Sequence, residues 1–179
     1  MRLEKLKQNN VLIENVWGYT PAEYEPFYLQ WLTALKRDHR LIEYLNTDNV
    51  RCMGFCAKHS TLYEPFALHA KELYGDAIYW LETKGNYYFL IIANGELVSG
   101  SDRIVSQRFW IHLREQLKTN SLYQHLNVRE LDETMINNVI ENCVAHQNKL
   151  KKKRQAVIVG LALGGVAILI LTTLLLKFI

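Results

Sequence analysis

Apolar residues recur along the chain with more than one period, and each period predicts an element. Val11 to Trp17 (VLIENVW) is apolar and partly β-branched, which predicts a strand or a pair of short strands. Pro21 and Pro26 bracket a polar turn. From Phe27 the spacing becomes helical. Phe27, Trp31, Leu35, Leu41 and Leu45 approximate one face, with Lys36, Arg37, Asp38 and Arg40 on the wet side, so a helix is predicted to end near Asn46. Val50 to Ala57 (VRCMGFCA) reads as a short strand. Thr61 and Glu64 have capping-box spacing ahead of a helix carrying Leu62, Phe66, Ala70 and Leu73, with Gly75 as its stop.

Ala77 to Val98 holds three apolar runs, AIYWLE, YYFLIIA and ELV, separated by Lys84-Gly85-Asn86 and Asn94-Gly95. Asn-Gly between apolar runs is a hairpin signal, because both residues tolerate positive φ. An antiparallel three-strand meander follows. In its middle run both alternating sets, Tyr87/Phe89/Ile91 and Tyr88/Leu90/Ile92, are apolar, which places that strand centrally with both faces covered. A polar loop, Ser99-Gly100-Ser101-Asp102-Arg103, leads to a helix over Ser106–Lys118 with Phe109, Trp110, Leu113 and Leu117 inward. A short strand near Leu122–Val128 precedes a helix over Glu130–Leu150, with Leu131, Met135, Val139 or Ile140, and Cys143 on one face.

The third pattern is continuous. Ala156 to Leu176 contains no charge, Asn, Gln or Pro. At about 1.5 Å per residue it covers roughly 30 Å, the thickness of a hydrocarbon core, and predicts a transmembrane helix. No Gly or Pro separates the preceding helix from it, so the two can form one long helix. Lys149, Lys151, Lys152, Lys153 and Arg154 precede the run, and only Lys177 follows it, which places residues 1–148 on the cytoplasmic side. The expected organisation is a cytoplasmic α/β domain (1–148), a basic juxtamembrane segment (149–155), the span (156–176) and a short tail (177–179). The Met1 end, MRLEKLKQNN, lacks an apolar run and does not read as a signal peptide.

Charge changes meaning in this light. The net +3 comes from the basic run: without it and Lys177, 15 of the 21 Lys and Arg remain against 18 Asp and Glu. The domain is therefore mildly acidic, which argues against a nucleic-acid partner, while the basic run suits an anionic lipid surface. Three cysteines fit a reducing compartment.

Candidate chemistry is sparse. Cys52, Cys56 and His59 suggest a metal site, but no fourth ligand is near in sequence, and on a strand the two cysteines stand about 13 Å apart on one face. They are expected as buried core residues. The histidines, His39, His59, His69, His112, His125 and His146, form no HExxH and are expected at exposed or amphipathic positions. GxSxG, P-loop and GxGxxG motifs are absent, so no cofactor and no enzymatic activity are expected. Gly100 is a candidate for an anion-binding nest, with a turn capped by an Asx side chain as the favoured reading. Gly160 and Gly164 form a GxxxG that would let two membrane helices approach closely.

The run YWLETKGNYYFLIIANGELVSGSDRIV, with WLTALKRDHRLIEYL and MGFCAKHSTLYEPFALHAKEL upstream, resembles the type IVb pilus inner-membrane assembly proteins, the family of toxin-coregulated pilus biosynthesis protein R and bundle-forming pilus protein C. The likeness spans roughly residues 10–118. It implies a reduced actin-like α/β domain with a mainly antiparallel sheet and flanking helices, similar to the cytoplasmic part of the type II secretion L protein. It also implies a job: docking the pilus assembly ATPase to the polytopic platform protein of the bacterial inner membrane. This sequence departs from the longer family members, which continue into a periplasmic domain. The rival expectations are a tail-anchored adaptor of another membrane system and a membrane-bound nucleotide sensor using the loop at Gly100.

Overall fold

The computed structural model describes residues 2–18, 26–58 and 63–176, with the side chains of 2, 162, 163 and 165–176 left aside. Expectations resting on Pro21, His59, Thr61, Leu62 and Lys177–Ile179 lie outside the described residues. Helix α1 (Arg2–Gln8) leads into strands β1 (Val11–Leu12) and β2 (Val16–Gly18). Helix α2 (Pro26–Asp38) runs directly into β3 (His39–Leu45), followed by β4 (Arg51–Ala57), β5 (Glu64–Pro65) and α3 (Phe66–Tyr74). Strands β6 (Ala77–Thr83), β7 (Asn86–Ala93), β8 (Glu96–Leu97) and β9 (Arg103–Ser106) precede α4 (Gln107–Thr119), β10 (Val128–Glu130) and α5 (Glu133–Leu176). The fold is α/β with mixed, mainly antiparallel sheets.

The largest sheet has the order β10-β6-β7-β8, with β9 also paired to β7. Only β10 runs parallel to its neighbour; the β6-β7-β8 meander is antiparallel, as the two turn sequences predict. Asn94 and Gly95 take φ of 53° and 69°. This turn packs on a second hairpin: Thr47 Oγ1 donates to the Asn94 carbonyl at 2.8 Å, and a Cβ at Gly95 would come within 2.8 Å of the Thr47 backbone nitrogen. Both faces of β7 are buried. On one face Trp110 of α4 stacks with Trp80 and Tyr87 and meets Phe89 at a tilt, over a cluster of Ile78, Ile91, Leu117 and Leu126. On the other, Phe66 of α3 meets Tyr88 edge-on beside Tyr79, Leu81, Leu90 and Ile92.

A smaller antiparallel sheet has the order β2-β4-β3. Here the structure corrects the sequence reading: residues 39–45 are strand, and the helix stops at Asp38. Leu41 and Leu45, four apart, fit a helical face, but that spacing is also every second position on one face of a strand. Leu41, Glu43 and Leu45 are exposed, while Arg40, Ile42 and Tyr44 are half-buried. Asn46 makes the reversal possible, because its Oδ1 accepts from the Asp48 and Val50 amides at 2.9 and 2.8 Å. Helix α2 lies on this sheet with Trp31 edge-on to Phe55, yet none of its residues is fully buried. On the opposite face the Trp17 ring lies flat over Gly54, its register partner.

Other boundaries also move. The strand expected near 122–128 is instead a turn over 121–126, where the Asn120 side chain accepts from the Leu122 amide, followed by β10. Phe109 and Leu73 are about half exposed rather than inward. Helix α3 begins at Phe66 after Pro65, and Glu64 belongs to β5.

The chain divides into two units, Met1–Cys143 and Val144–Ile179. Leu131, Ile136, Val139, Ile140 and Cys143 are buried in the first. In the second, α5 continues unbroken through Lys149–Arg154 to Leu176, with the basic side chains exposed. Among the described residues no helix is long and apolar enough to cross a membrane; most side chains of 156–176 lie outside them.

A Cβ at Gly54 would stand 2.2 and 2.3 Å from Trp17 ring carbons. Gly54→Ala is therefore expected to lower stability in urea titrations by about 1–3 kcal/mol through overpacking. Gly18→Ala, where a Cβ meets nothing within 4 Å, is expected to change it little.

Candidate functional site

The loop singled out in the sequence carries two of the buried polar residues, Ser101 and Asp102. Ser99 and Gly100 form an exposed turn, and Ser101 Oγ donates to the Val98 carbonyl at 2.7 Å. Asp102 follows with φ 59°, a left-handed conformation that turns its side chain inward, where the residue is only 1% exposed. Arg103 returns to the surface and opens β9.

The Asp102 carboxylate collects donors from two distant segments. The Glu14 amide donates to Oδ1 at 3.0 Å, and the Asn15 amide to Oδ2 at 3.1 Å. Asn15 Nδ2 and Trp17 Nε1 each donate to Oδ2 at 2.9 Å, and the Tyr88 hydroxyl to Oδ1 at 2.7 Å. Glu14 has φ 62°, so consecutive amides at 14 and 15 converge as a nest that closes around an anion. The chain fills that nest from within. This corrects the expectation of an Asx-capped turn: the Asp102 side chain reaches across the fold to residues 14–17 and Tyr88 instead. These donors occupy the roughly four lone-pair positions of a carboxylate, leaving none for an outside ligand.

Burial pushes Asp102 up from 3.8 to about 6, while bonds from Asn15, Tyr88 and Trp17 pull the other way. Burial, and then the neighbouring Asp102 charge, holds Tyr88 well above its ordinary range. A cavity of about 510 Å³ adjoins the loop, lined by residues 14–17 and 99–105.

No protein-family model matches the chain, and no curated protein or solved structure matches it. The chemistry of the remaining polar groups therefore rests on their geometry alone. A second cavity of about 610 Å³ lies beside Tyr44, Arg51, Cys52, Glu96 and Tyr123. Burial raises the Tyr44 hydroxyl, which accepts from the Leu97 amide at 2.9 Å. Burial also raises the Cys52 thiol, with the Glu96 charge adding to it. A thiol held up in this way is protonated near neutral pH and is a poor nucleophile. Cys56 is fully buried, with Arg40 Nε donating to its sulfur at 2.9 Å, so both cysteines are core residues of β4, as expected.

His112, His125 and His146 are exposed and His39 is half-buried. His69 departs from expectation: it is buried, its Nε2 3.3 Å from Glu64 Oε2, joining α3 to β5. Lys149, Lys151, Lys152, Lys153 and Arg154 line α5, and Gly160 and Gly164 share an exposed helix position four residues apart where a Cβ would meet nothing. Sequence reasoning picked out Asp102 but missed Glu14, Asn15, Trp17 and Tyr88 as its partners. The local signal present was an Asn between a loop and a Trp, which does not specify a contact this remote.

Because folding raises the Asp102 pKa, the protonated form favours the folded state. That contribution is complete below about pH 4 and is lost as pH rises through about 6. At about 1.4 kcal/mol per pKa unit the swing is on the order of 3 kcal/mol. The stability difference between wild type and Asp102→Asn, from urea titrations at several pH values, is expected to shift by about this amount across that window. Asp102→Ala, which strands the donors, is expected to cost several kcal/mol at every pH.

Proposed function

We propose that this protein is a non-catalytic adaptor of a type IVb pilus machine, tethered to the bacterial inner membrane by residues 156–176. In this reading the α/β unit, a reduced actin-like domain, faces the cytoplasm and docks the pilus assembly ATPase to the polytopic platform protein. The observation carrying the proposal is that the charge-free run and the exposed basic run ahead of it belong to one unbroken helix, α5. An exposed Lys/Arg cluster next to an apolar run favours the cytoplasmic face and anionic headgroups. Confinement to the membrane plane raises the local concentration of the domain near other platform components.

The polar interior supports a binding role over a catalytic one. Asp102 is spent on donors within the chain, and Cys52 and Tyr44 are held in their protonated forms. The nucleotide-sensor reading loses its candidate residue for the same reason, since Asp102 turns away from the exposed Gly100.

Two measurements test the proposal. The full chain, extracted in detergent from cells that assemble such a pilus, is expected to retain the ATPase or the platform protein on affinity purification; loss of both rejects the pilus assignment. Replacing Lys149, Lys151, Lys152, Lys153 and Arg154 with Gln is expected to give mixed orientation in protease protection of membrane vesicles. Uniform orientation after that change would remove the charge argument.

A further inference from the structure

We infer that the outer edge of β3 is a docking site for an extended, acidic-ended segment of a protein partner, which would join the small sheet as a further strand. Strand β3 is the edge of the order β2-β4-β3. Its hydrogen-bonding phase is fixed at both ends, by the Asn46 amide on the Val50 carbonyl and the Lys58 amide on the Asp38 carbonyl. In an antiparallel ladder, bonded pairs alternate with pairs whose backbone groups point outward. With His39 opposite Ala57 and Leu45 opposite Arg51, the bonded positions are Arg40, Ile42 and Tyr44. The N–H and C=O groups of Leu41, Glu43 and Leu45 therefore point away from β4, and among the described residues no strand meets them. A row of outward amides and carbonyls is satisfied by another strand, which distinguishes an extended peptide from a lipid surface.

The side chains define what that strand carries. Leu41 and Leu45 are 44% and 52% exposed, on the face where α2 sits, so apolar residues at alternate positions would cover them. Lys36, Arg37 and Lys58 are exposed where α2 hands over to β3, against Asp38. At the other end Arg51 bridges to Glu43 at 3.4 Å. The edge thus carries Leu41 and Leu45 on either side of Glu43, whose charge Arg51 meets, with a basic excess at its start, complementary to a segment with apolar residues at alternate positions and carboxylates at the matching end. The inference rests on the adaptor reading only in requiring a protein partner.

The test uses the full chain in detergent and a synthetic peptide alternating leucine and threonine with glutamates at one end. Binding is followed by fluorescence anisotropy and amide hydrogen exchange. Expected are saturable binding, slowed exchange at Leu41, Glu43 and Leu45, and at least tenfold weaker binding when alternate peptide amides are methylated or the glutamates become lysines. Glu43→Pro removes an outward N–H that the β3–β4 ladder does not use, and is expected to weaken binding equally with an unchanged melting curve. If that variant misfolds, Leu41→Lys with Leu45→Lys makes the same test. Absent binding by wild type, undiminished binding by these variants, or protection elsewhere overturns the inference. So does a concentration-dependent dimer that protects the three amides without peptide, because a second copy would then be the occupant. Peptide binding alongside failed ATPase co-purification would reject the pilus assignment and keep the edge; the reverse result would reject the edge and keep the assignment.

Discussion

An ionised carboxyl group inside a protein costs several kcal/mol unless donors surround it. Asp102 finds its donors in two places, residues 14–17 on the N-terminal side and Tyr88 in the central strand. Satisfying one side chain therefore sets the position of β2 against β7. Because Trp17 both donates to Asp102 and lies over Gly54, the small sheet is located by the same contact. Trp17 also meets Tyr44 edge-on, which brings β3 into the arrangement. The Asn94–Gly95 turn resting on Thr47 joins the two sheets at a second point.

Asp102, Cys52 and Tyr44 are each committed to the architecture in this way. A carboxylate with every lone pair committed is a structural acceptor, and a thiol and a phenol raised by burial are structural groups too. What the domain presents to its surroundings is backbone at the β3 edge and apolar side chains on α2, a helix that buries none of its residues completely. A strand edge of that kind can be completed by another chain, which is the basis of the proposed docking role.

The parts of the fold readable in the sequence are those whose cause is local. The β6-β7-β8 meander follows from two turn sequences and a doubly apolar strand, and α4 from its period with Ser106 accepting from the Phe109 amide at its start. Where one spacing satisfies two periods, the sequence was ambiguous. Leu41 and Leu45 fit helix and strand alike, and pairing with β4 decided for strand. Helix α1 and strand β9 carried too few residues to show a period. The partners of Asp102 were illegible for a different reason: they lie 87 residues away at Asn15, and nothing near position 15 announces an anion to be bound. The Trp17–Gly54 contact is similarly a matter of register between two strands that meet only in the fold.

The remoteness of that bond bears on how the chain is made. During synthesis residues 14–17 leave the ribosome long before Asp102, so the nest stays open and the Trp17 indole unpaired while more than eighty further residues are added. The small sheet cannot be fixed in place over that interval, since its anchor has not yet been translated. Contacts of such separation close late and slow the search for the native state. The N-terminal third of the nascent protein, with its β3 edge and apolar α2, thus waits for the carboxylate before it is fixed against the central strand.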